Sequence, residues 1–343
     1  MVQSEIIEKL QTIGEHSTSA YPSIKPSDIE ELKINLPSLP EQRSIAHILG
    51  SLDDKIELNR KMNETLEAMA QAMFKSWFVD FDPVIDKALA AGNEIPEELQ
   101  EKAAVRESLG DARKILPEEI SRLFPSEFEH TEEMGWIPKG WKFKSLYKIA
   151  NYINGAAYKS FHFTSEPDAL PVVKIAEIKN GISGQTKFTK TELADKYLIK
   201  NGNILFSWSG NPDTSIDTFV WTGGPGWLNQ HIFKVSLKHE KDRNFIYYQL
   251  KALRPVFAEI ARDKQTTGLG HVTIQDMKRL YVIDCPNSII QSFNTYVGIF
   301  FDKWYENLLS IKTLSHLRDT LLPKLLSGQI RIPEAEKLAE AAL

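Results

Sequence analysis

A chain of 343 residues with 42% hydrophobic and 25% charged side chains is ordinary globular material for two or three domains, neither disordered nor fibrous. No run approaches eighteen apolar residues, and the first eight positions lack the basic start and apolar stretch of a secretory leader, so a cytoplasmic protein without membrane contact is expected. A single cysteine, Cys285, excludes a disulfide framework and a cysteine-zinc site, and reads as a small buried hydrophobe after a strand. The net charge of −5 hides an asymmetry: residues 1–135 sum to −13, 136–290 to +8 and 291–343 to zero. A basic middle between acidic and neutral flanks is the footprint of a localised polyanion-binding domain, although solvated surface lysines produce it too.

In chain order, the first prominent element is a helix from 41 to about 78, with no proline and only Gly50 inside it. Ile45, Leu49, Leu52, Ile56, Leu66, Met69, Met73 and Trp77 recur at the three-four spacing of a heptad seam. Residues 79–135 are acidic and broken by Pro83, Pro96, Pro117 and Pro125, with short helical pieces such as 97–109, and read as a connecting segment. From Gly135 the composition becomes strand-like and turn-rich, with candidate strands at 171–175, 203–208 and 231–235 and a helix at 244–261. A second long helix, 288–326, carries Phe293, Val297, Phe300, Trp304, Ile311, Leu314, Leu321 and Leu325, with Pro323 expected to kink or end it.

The two helices belong to an internal repeat. Shifting the chain by 248 positions places Thr18 on Thr266, Asp28 on Asp276, Leu32 on Leu280, Asp54-Lys55 on Asp302-Lys303, and Asn59 on Asn307 without a gap. The repeated unit reads as a short strand or turn followed by a long amphipathic helix. Asn59 and Asn307 interrupt the two seams at one equivalent place, the position where a polar residue fixes register or partner. The fold class expected is α+β: a strand-rich domain flanked by two long helices that either pair through this seam or pack in a generic helical core with the asparagines exposed.

Catalytic motifs are missing. The chain has no phosphate-cradling Gly-x-x-x-x-Gly-Lys-Ser/Thr, no His-Glu-x-x-His and no nucleophile elbow. Asn211-Pro212-Asp213-Thr214 lacks the second proline and the aromatic ring of a base-methylating tetrapeptide and reads as a turn. Asp168, Glu177 and Lys179 could together hold a metal and activate water, which keeps a stand-alone metal-dependent DNA endonuclease as the contrasting enzyme reading. For binding, the basic domain offers Lys159, Ser160, Lys174, Ser207, Ser209, Gln265, Thr266, Thr267 and His271 on or beside polar turns. Their hydroxyls and amines suit phosphates and base edges. Turn formation, a helix C-cap at Gly268 and a core role for Trp208 explain the same residues without a ligand.

The arrangement resembles the DNA-specificity subunit of type I restriction–modification systems, over nearly the whole chain. Leu36-Pro37-Ser38-Leu39-Pro40-Glu41-Gln42-Arg43-Ser44-Ile45-Ala46 and Leu52-Asp53-Asp54-Lys55-Ile56-Glu57-Leu58-Asn59 are similar to that family's first long helix and its entry. Ser76-Trp77-Phe78-Val79-Asp80-Phe81-Asp82-Pro83 and Leu123-Phe124-Pro125-Ser126-Glu127-Phe128 look like its central stretch. Gly135-Trp136-Ile137-Pro138-Lys139-Gly140-Trp141 looks like the opening of a second recognition domain.

The resemblance implies a division at 1–36 (remnant of a first target-recognition domain), 37–80 (first helix), 81–135 (linker), 136–287 (target-recognition domain), 288–330 (second helix) and 331–343 (tail). It implies an N-terminally truncated specificity subunit, because projecting the domain start at 136 back by 248 puts the first domain's start about 112 positions before Met1. It further implies a non-catalytic, cofactor-free chain that binds double-stranded DNA and whose two long helices pair as an antiparallel coiled coil. Methyltransferase subunits would bring S-adenosylmethionine, and a restriction subunit would use ATP and magnesium. A homodimer, or pairing with a separately encoded partial specificity subunit, would supply the second half of a split site.

Overall fold

In the computed structural model, residues 4–16, 23–32, 36–113, 116–265 and 268–343 are described. They form two compact units, 1–65 with 304–343, and 66–303. None of the described helices is long and apolar enough to cross a membrane.

The two long helices run Leu39–Phe78 and Asn287–Leu326, forty residues each, and both ends stand 248 positions apart. Ser38 starts the first: its hydroxyl and its backbone N–H both donate to the Glu41 carboxylate at 2.8 Å, which holds the Glu41 carboxyl below its usual range. Pro323 lies inside the second helix, which ends three residues later.

In the first unit the helices are antiparallel, since cross-helix partners descend on one as they ascend on the other: Asp53 with Arg318, Asn59 with Ser310, Asn63 with Asn307. Ile45, Ile48, Leu52 and Ile56 pack with Leu314, Leu321 and Leu325. The 331–343 stretch, expected to be a tail, contains a helix, Ile332–Ala342, whose Ala335 and Ala339 close the same core.

The repeat is visible as structure. Helix Ser4–Glu15 corresponds to Arg254–Asp263, and Pro26–Glu30 to Ile274–Arg279. The cap of the short helix is repeated as well: Lys25 N–H donates to Asp28 Oδ2 at 2.8 Å, and Thr273 N–H to Asp276 Oδ2 at 2.7 Å. The repeated unit's opening, read as a short strand or turn, has Ile24 and Leu32 outside regular structure. Among the described residues of 1–36 the secondary structure is helical.

The second unit holds the strands. A four-stranded antiparallel sheet has the order Asp217–Val220, Ile204–Ser207, Ile232–Ser236, Asn151–Asn154. A five-stranded sheet has the order Phe163–Thr164, Phe188–Thr189, Leu170–Val173, Gly226–Leu228, Leu198–Ile199, and its one parallel pairing joins Gly226–Leu228 to Leu170–Val173. Val173, Ile199, Leu205, Trp221, Leu228 and Ile232 form the core between these strands. Strand Tyr281–Asp284 pairs with Lys142–Ser145 and leads to Cys285, whose burial pushes the thiol up to about 12 and leaves it inert, as expected for a small core residue.

Within this unit, Phe74, Trp77 and Phe78 of the first long helix meet Phe293 of the second and Phe245 of helix Arg243–Ala252. The acidic stretch after Phe78 contributes helices Asp82–Ala91 and Gln100–Ser108, with Val84, Ile85 and Ala88 fully buried. Phe81, the one described non-glycine residue with positive φ (+59°), turns the chain between Phe78 and that helix and sets its ring edge-on to Trp141. An ion network ties helix Arg243–Ala252 to strand Asp217–Val220: Lys251 Nζ lies 3.1 Å from Asp217 and 3.4 Å from Glu67 on the first long helix.

Candidate nucleic-acid interface

Several polar turns converge at one end of the strand-rich unit, and backbone contacts bring them together. Strand Asn151–Asn154 runs into Gly155, where a Cβ would sit 2.1 Å from the Asn229 carbonyl oxygen, so only glycine permits this approach. Ala156 bridges Asn229, and Asn229 N–H donates to the Val173 carbonyl at 3.0 Å, which links the 155–160 turn to Lys174. Gly210, at φ +132°, would place a Cβ 2.7 Å from Ser215 Cβ and 3.7 Å from Ile175 Cδ1, so the turn after Ser209 lies against the Ile175 side chain. Ser209-Gly210 pairs with Gly270-His271, which sets Ser209 directly opposite His271.

The expected residues separate under this geometry. Lys159, Ser160, Lys174, Gln265 and His271 are exposed and Ser209 is half-buried. Lys159 Nζ lies 5.9 Å from the centroid of the Phe161 ring and Lys174 Nζ 5.8 Å from that of Phe163, so both ammonium groups stay at the surface over aromatic faces. Ser207 must be removed from the set. It lies at the end of a central strand whose four residues are all buried, it is 0% exposed, and its hydroxyl has no partner among the described residues. Thr266 and Thr267 fall outside the described residues.

Sequence reasoning missed a cleft beside the Ser209–His271 pair. It has a volume of about 460 Å³ and is lined by Asn154, Trp208, Phe233 and the segment Val272 to Gln275. Trp208, open to a core role in the sequence, lines it instead. Its indole N–H donates to Asn154 Oδ1 at 3.0 Å and its ring packs on His231 and Phe233. An indole flanked by an amide, imidazoles and hydroxyls presents both a stacking face and hydrogen-bonding edges. In the sequence, a tryptophan two positions after the apolar run Ile204-Leu205-Phe206 was indistinguishable from core.

The endonuclease triad is not assembled. Asp168 is 90% exposed at its side chain and sits 3.9 Å from Lys190. Glu177 is buried as the cap of helix Ile175–Asn180, accepting from Lys174 N–H at 3.0 Å and Thr186 Oγ1 at 3.1 Å. Lys179 Nζ donates to the Thr214 carbonyl. Each group is committed to a structural partner, and no cluster of three or more potential ligands is present among the described residues.

The helix asparagines are buried in the seam, 3% exposed each, but they do not bond to one another. Asn59 Nδ2 donates to Ser310 Oγ at 3.0 Å, and Asn307 Nδ2 donates to Asn63 Oδ1 at 2.9 Å. Asn63, missed in the sequence, also donates to the Trp304 carbonyl at 3.1 Å.

Comparison with known proteins places these features. The chain is 29% identical over 350 aligned residues to the type I restriction enzyme HindI specificity subunit of Haemophilus influenzae, covering 96% of this chain and 76% of that protein. It is 29% identical to the MjaIX specificity subunit of Methanocaldococcus jannaschii, covering 92% of this chain and 65% of that one. A crystallised type I restriction–modification S subunit from M. genitalium aligns at 16% identity with a TM-score of 0.46, over 90% of this chain and 67% of the other. The profile of the type I restriction modification DNA specificity domain matches residues 5–68 and 138–292, more than half of the chain. The chain belongs to the type I restriction modification DNA specificity family.

Proposed function

We propose that this chain reads duplex DNA through the turn cluster of residues 136–287, as the specificity component of a type I restriction–modification assembly whose catalysis resides in other subunits. The reading is supported by the pairing of Ser209 with His271 next to the Trp208 cleft, by the exposed lysines at 159 and 174, and by the +8 charge of residues 136–290. Lysines at the turns neutralise phosphates and set register, while Ser209, His271 and the cleft residues read base edges. The antiparallel helices serve as a spacer. Methyltransferase subunits dock on them and bring S-adenosylmethionine, and an ATP- and magnesium-dependent restriction subunit joins that complex. The endonuclease reading has no support in the placement of Asp168, Glu177 and Lys179.

The test is DNA binding by the full chain, with and without a methyltransferase subunit, followed by fluorescence anisotropy across a salt series. Log affinity is expected to fall with log salt at roughly 0.9 per phosphate contacted. Salt-insensitive binding, or none in either state, overturns the reading. Magnesium-dependent cutting by the purified chain that is lost in Asp168→Ala overturns it in favour of the enzyme.

A further inference from the structure

A second basic feature lies in the strand-rich unit and shares no residue with the turn cluster. A cavity of about 230 Å³ is lined by Lys144 and Lys148, by Lys238, His239 and Lys241, and by Asn287 in the first turn of the second long helix. Ile149, Phe245 and Ile246, all buried, form its apolar wall, and Asp242 is the carboxylate among its lining residues. Two of the lysines are fixed in place. Lys144 Nζ is 2.7 Å from Asp284 Oδ1, and Lys238 Nζ donates to the Lys148 carbonyl at 2.7 Å, which pins the 238–241 loop against the turn after strand Lys142–Ser145. Lys148, Lys241 and His239 make no side-chain hydrogen bond or ion pair among the described residues.

Four ammonium groups against the two carboxylates of Asp284 and Asp242 leave a net positive concavity with an apolar wall. The fold fixes two and leaves two free. An oxyanion entering the cavity offsets the net charge and gains charge-assisted hydrogen bonds from Lys148 and Lys241, with the N-terminal end of a forty-residue helix adding the same sign of potential.

We propose that this cavity is a phosphate-binding site, taking a phosphate group from the backbone of bound DNA or from a free phosphorylated small molecule. Only the first source rests on the DNA-reading function above.

Calorimetric titration of the full chain with pyrophosphate, against chloride at matched ionic strength, tests the site. Expected is saturable binding by the native chain and by a Lys187→Gln/Lys196→Gln control at two exposed lysines away from both features, with at least a tenfold weakening in Lys148→Gln/Lys241→Gln. The His239 ring proton, followed by NMR during the titration, should shift in the unmutated protein. No saturable binding, or equal binding by the pocket variant, overturns the proposal. The salt series on duplex DNA then assigns the source. A slope shallower in the pocket variant, by roughly 0.9 for each phosphate it no longer neutralises, identifies the DNA backbone, and an unchanged slope identifies a free phosphorylated molecule. If the chain binds no DNA yet takes up pyrophosphate through this cavity, the DNA-reading function fails and the site stands.

Discussion

The asparagine pair Asn63–Asn307 gives the sharpest test of how the helices hold register. Both side chains are nearly sealed from solvent, at 6% and 3% exposure, and Asn307 Nδ2 donates to Asn63 Oδ1 at 2.9 Å. Replacing Asn307 with alanine removes this hydrogen bond, a net loss of about 0.5–1.5 kcal/mol, and leaves the Asn63 carbonyl buried without its donor, costing about 1–3 kcal/mol more. Asn63→Ala frees Asn307 in the same way. The Trp304 carbonyl loses one donor from Asn63 but lies within a helix, so it suffers less.

The double variant removes both orphaned groups at once, so its destabilisation should fall short of the sum of the singles by roughly 1–2 kcal/mol. Urea unfolding of all four proteins, monitored by far-UV circular dichroism, measures this coupling. Additivity within about 0.5 kcal/mol refutes a mutual buried pair. A leucine pair at the same positions should match or exceed native stability while losing the polar constraint on alignment, as replacement of buried polar pairs by apolar ones allows.

Three further outcomes are expected. His271→Ala should weaken binding of the cognate duplex by about 1–3 kcal/mol and relax preference at one base pair, whereas Lys159→Ala should weaken all duplexes alike and flatten the salt slope by about one unit, both read by anisotropy. At Asp276, burial opposes ionisation, but hydrogen bonds from Lys264 and Thr273 outweigh it and hold the carboxyl below its usual range. Its stabilisation is therefore complete above the unfolded carboxylate value of about 3.9 and lost as pH falls through the lower folded one, so Asp276→Asn should flatten the acid limb of a stability–pH curve and leave its neutral-to-basic shape unchanged. Gly155→Ala should lower the melting temperature and disturb DNA binding together, since a Cβ there meets the Asn229 carbonyl at 2.1 Å; an unchanged melting curve contradicts the close approach.

Much of the helical architecture was legible because its cause is local. The heptad starting at Ile45 continues through Leu52, Asn59 and Asn63 to Ala70 and Trp77, and the offset of 248 carries it to Phe293, Asn307 and Leu325. Reading only hydrophobic residues misplaced part of it: Met69 is 47% exposed, whereas Ala70, Phe74 and Asn63 are buried. Spacing was the better guide than side-chain hydropathy. The strand-rich unit was less legible because its contacts are long-range. Ser207 resembles a turn residue by composition, yet Leu205 packs in the core with Val173 and Leu228 while Phe206 packs on Phe257 of helix Arg254–Asp263, so both faces of Ile204–Ser207 are covered and the period-two pattern is lost. The acidic 79–135 stretch hid Val84, Ile85 and Phe124, because its prolines mark loops while its apolar residues meet partners far along the chain.

The same distinction explains why the candidate interface was found only in part. Lys159, Lys174, Ser209 and His271 lie up to 112 positions apart, and no periodicity relates them. What joins the segments that carry them is mostly backbone: the Ala156–Asn229 bridge, the Asn229–Val173 hydrogen bond and the two-residue pairing of Ser209-Gly210 with Gly270-His271, with the Ile175 side chain against Gly210. Two of these joints use glycines where a side chain would collide, at 155 and 210. A scaffold closed by backbone contacts leaves the neighbouring side chains at 159, 160, 174, 209 and 271 free of packing duties. Substitution there can alter what is read without unfolding the domain, while substitution at the joints should destabilise the domain and disturb binding with it. A variant set crossing surface positions with joint positions would separate specificity from stability along that line. The scaffold argument fails if changes at Lys159 or His271 destabilise the chain as much as changes at Gly155 do.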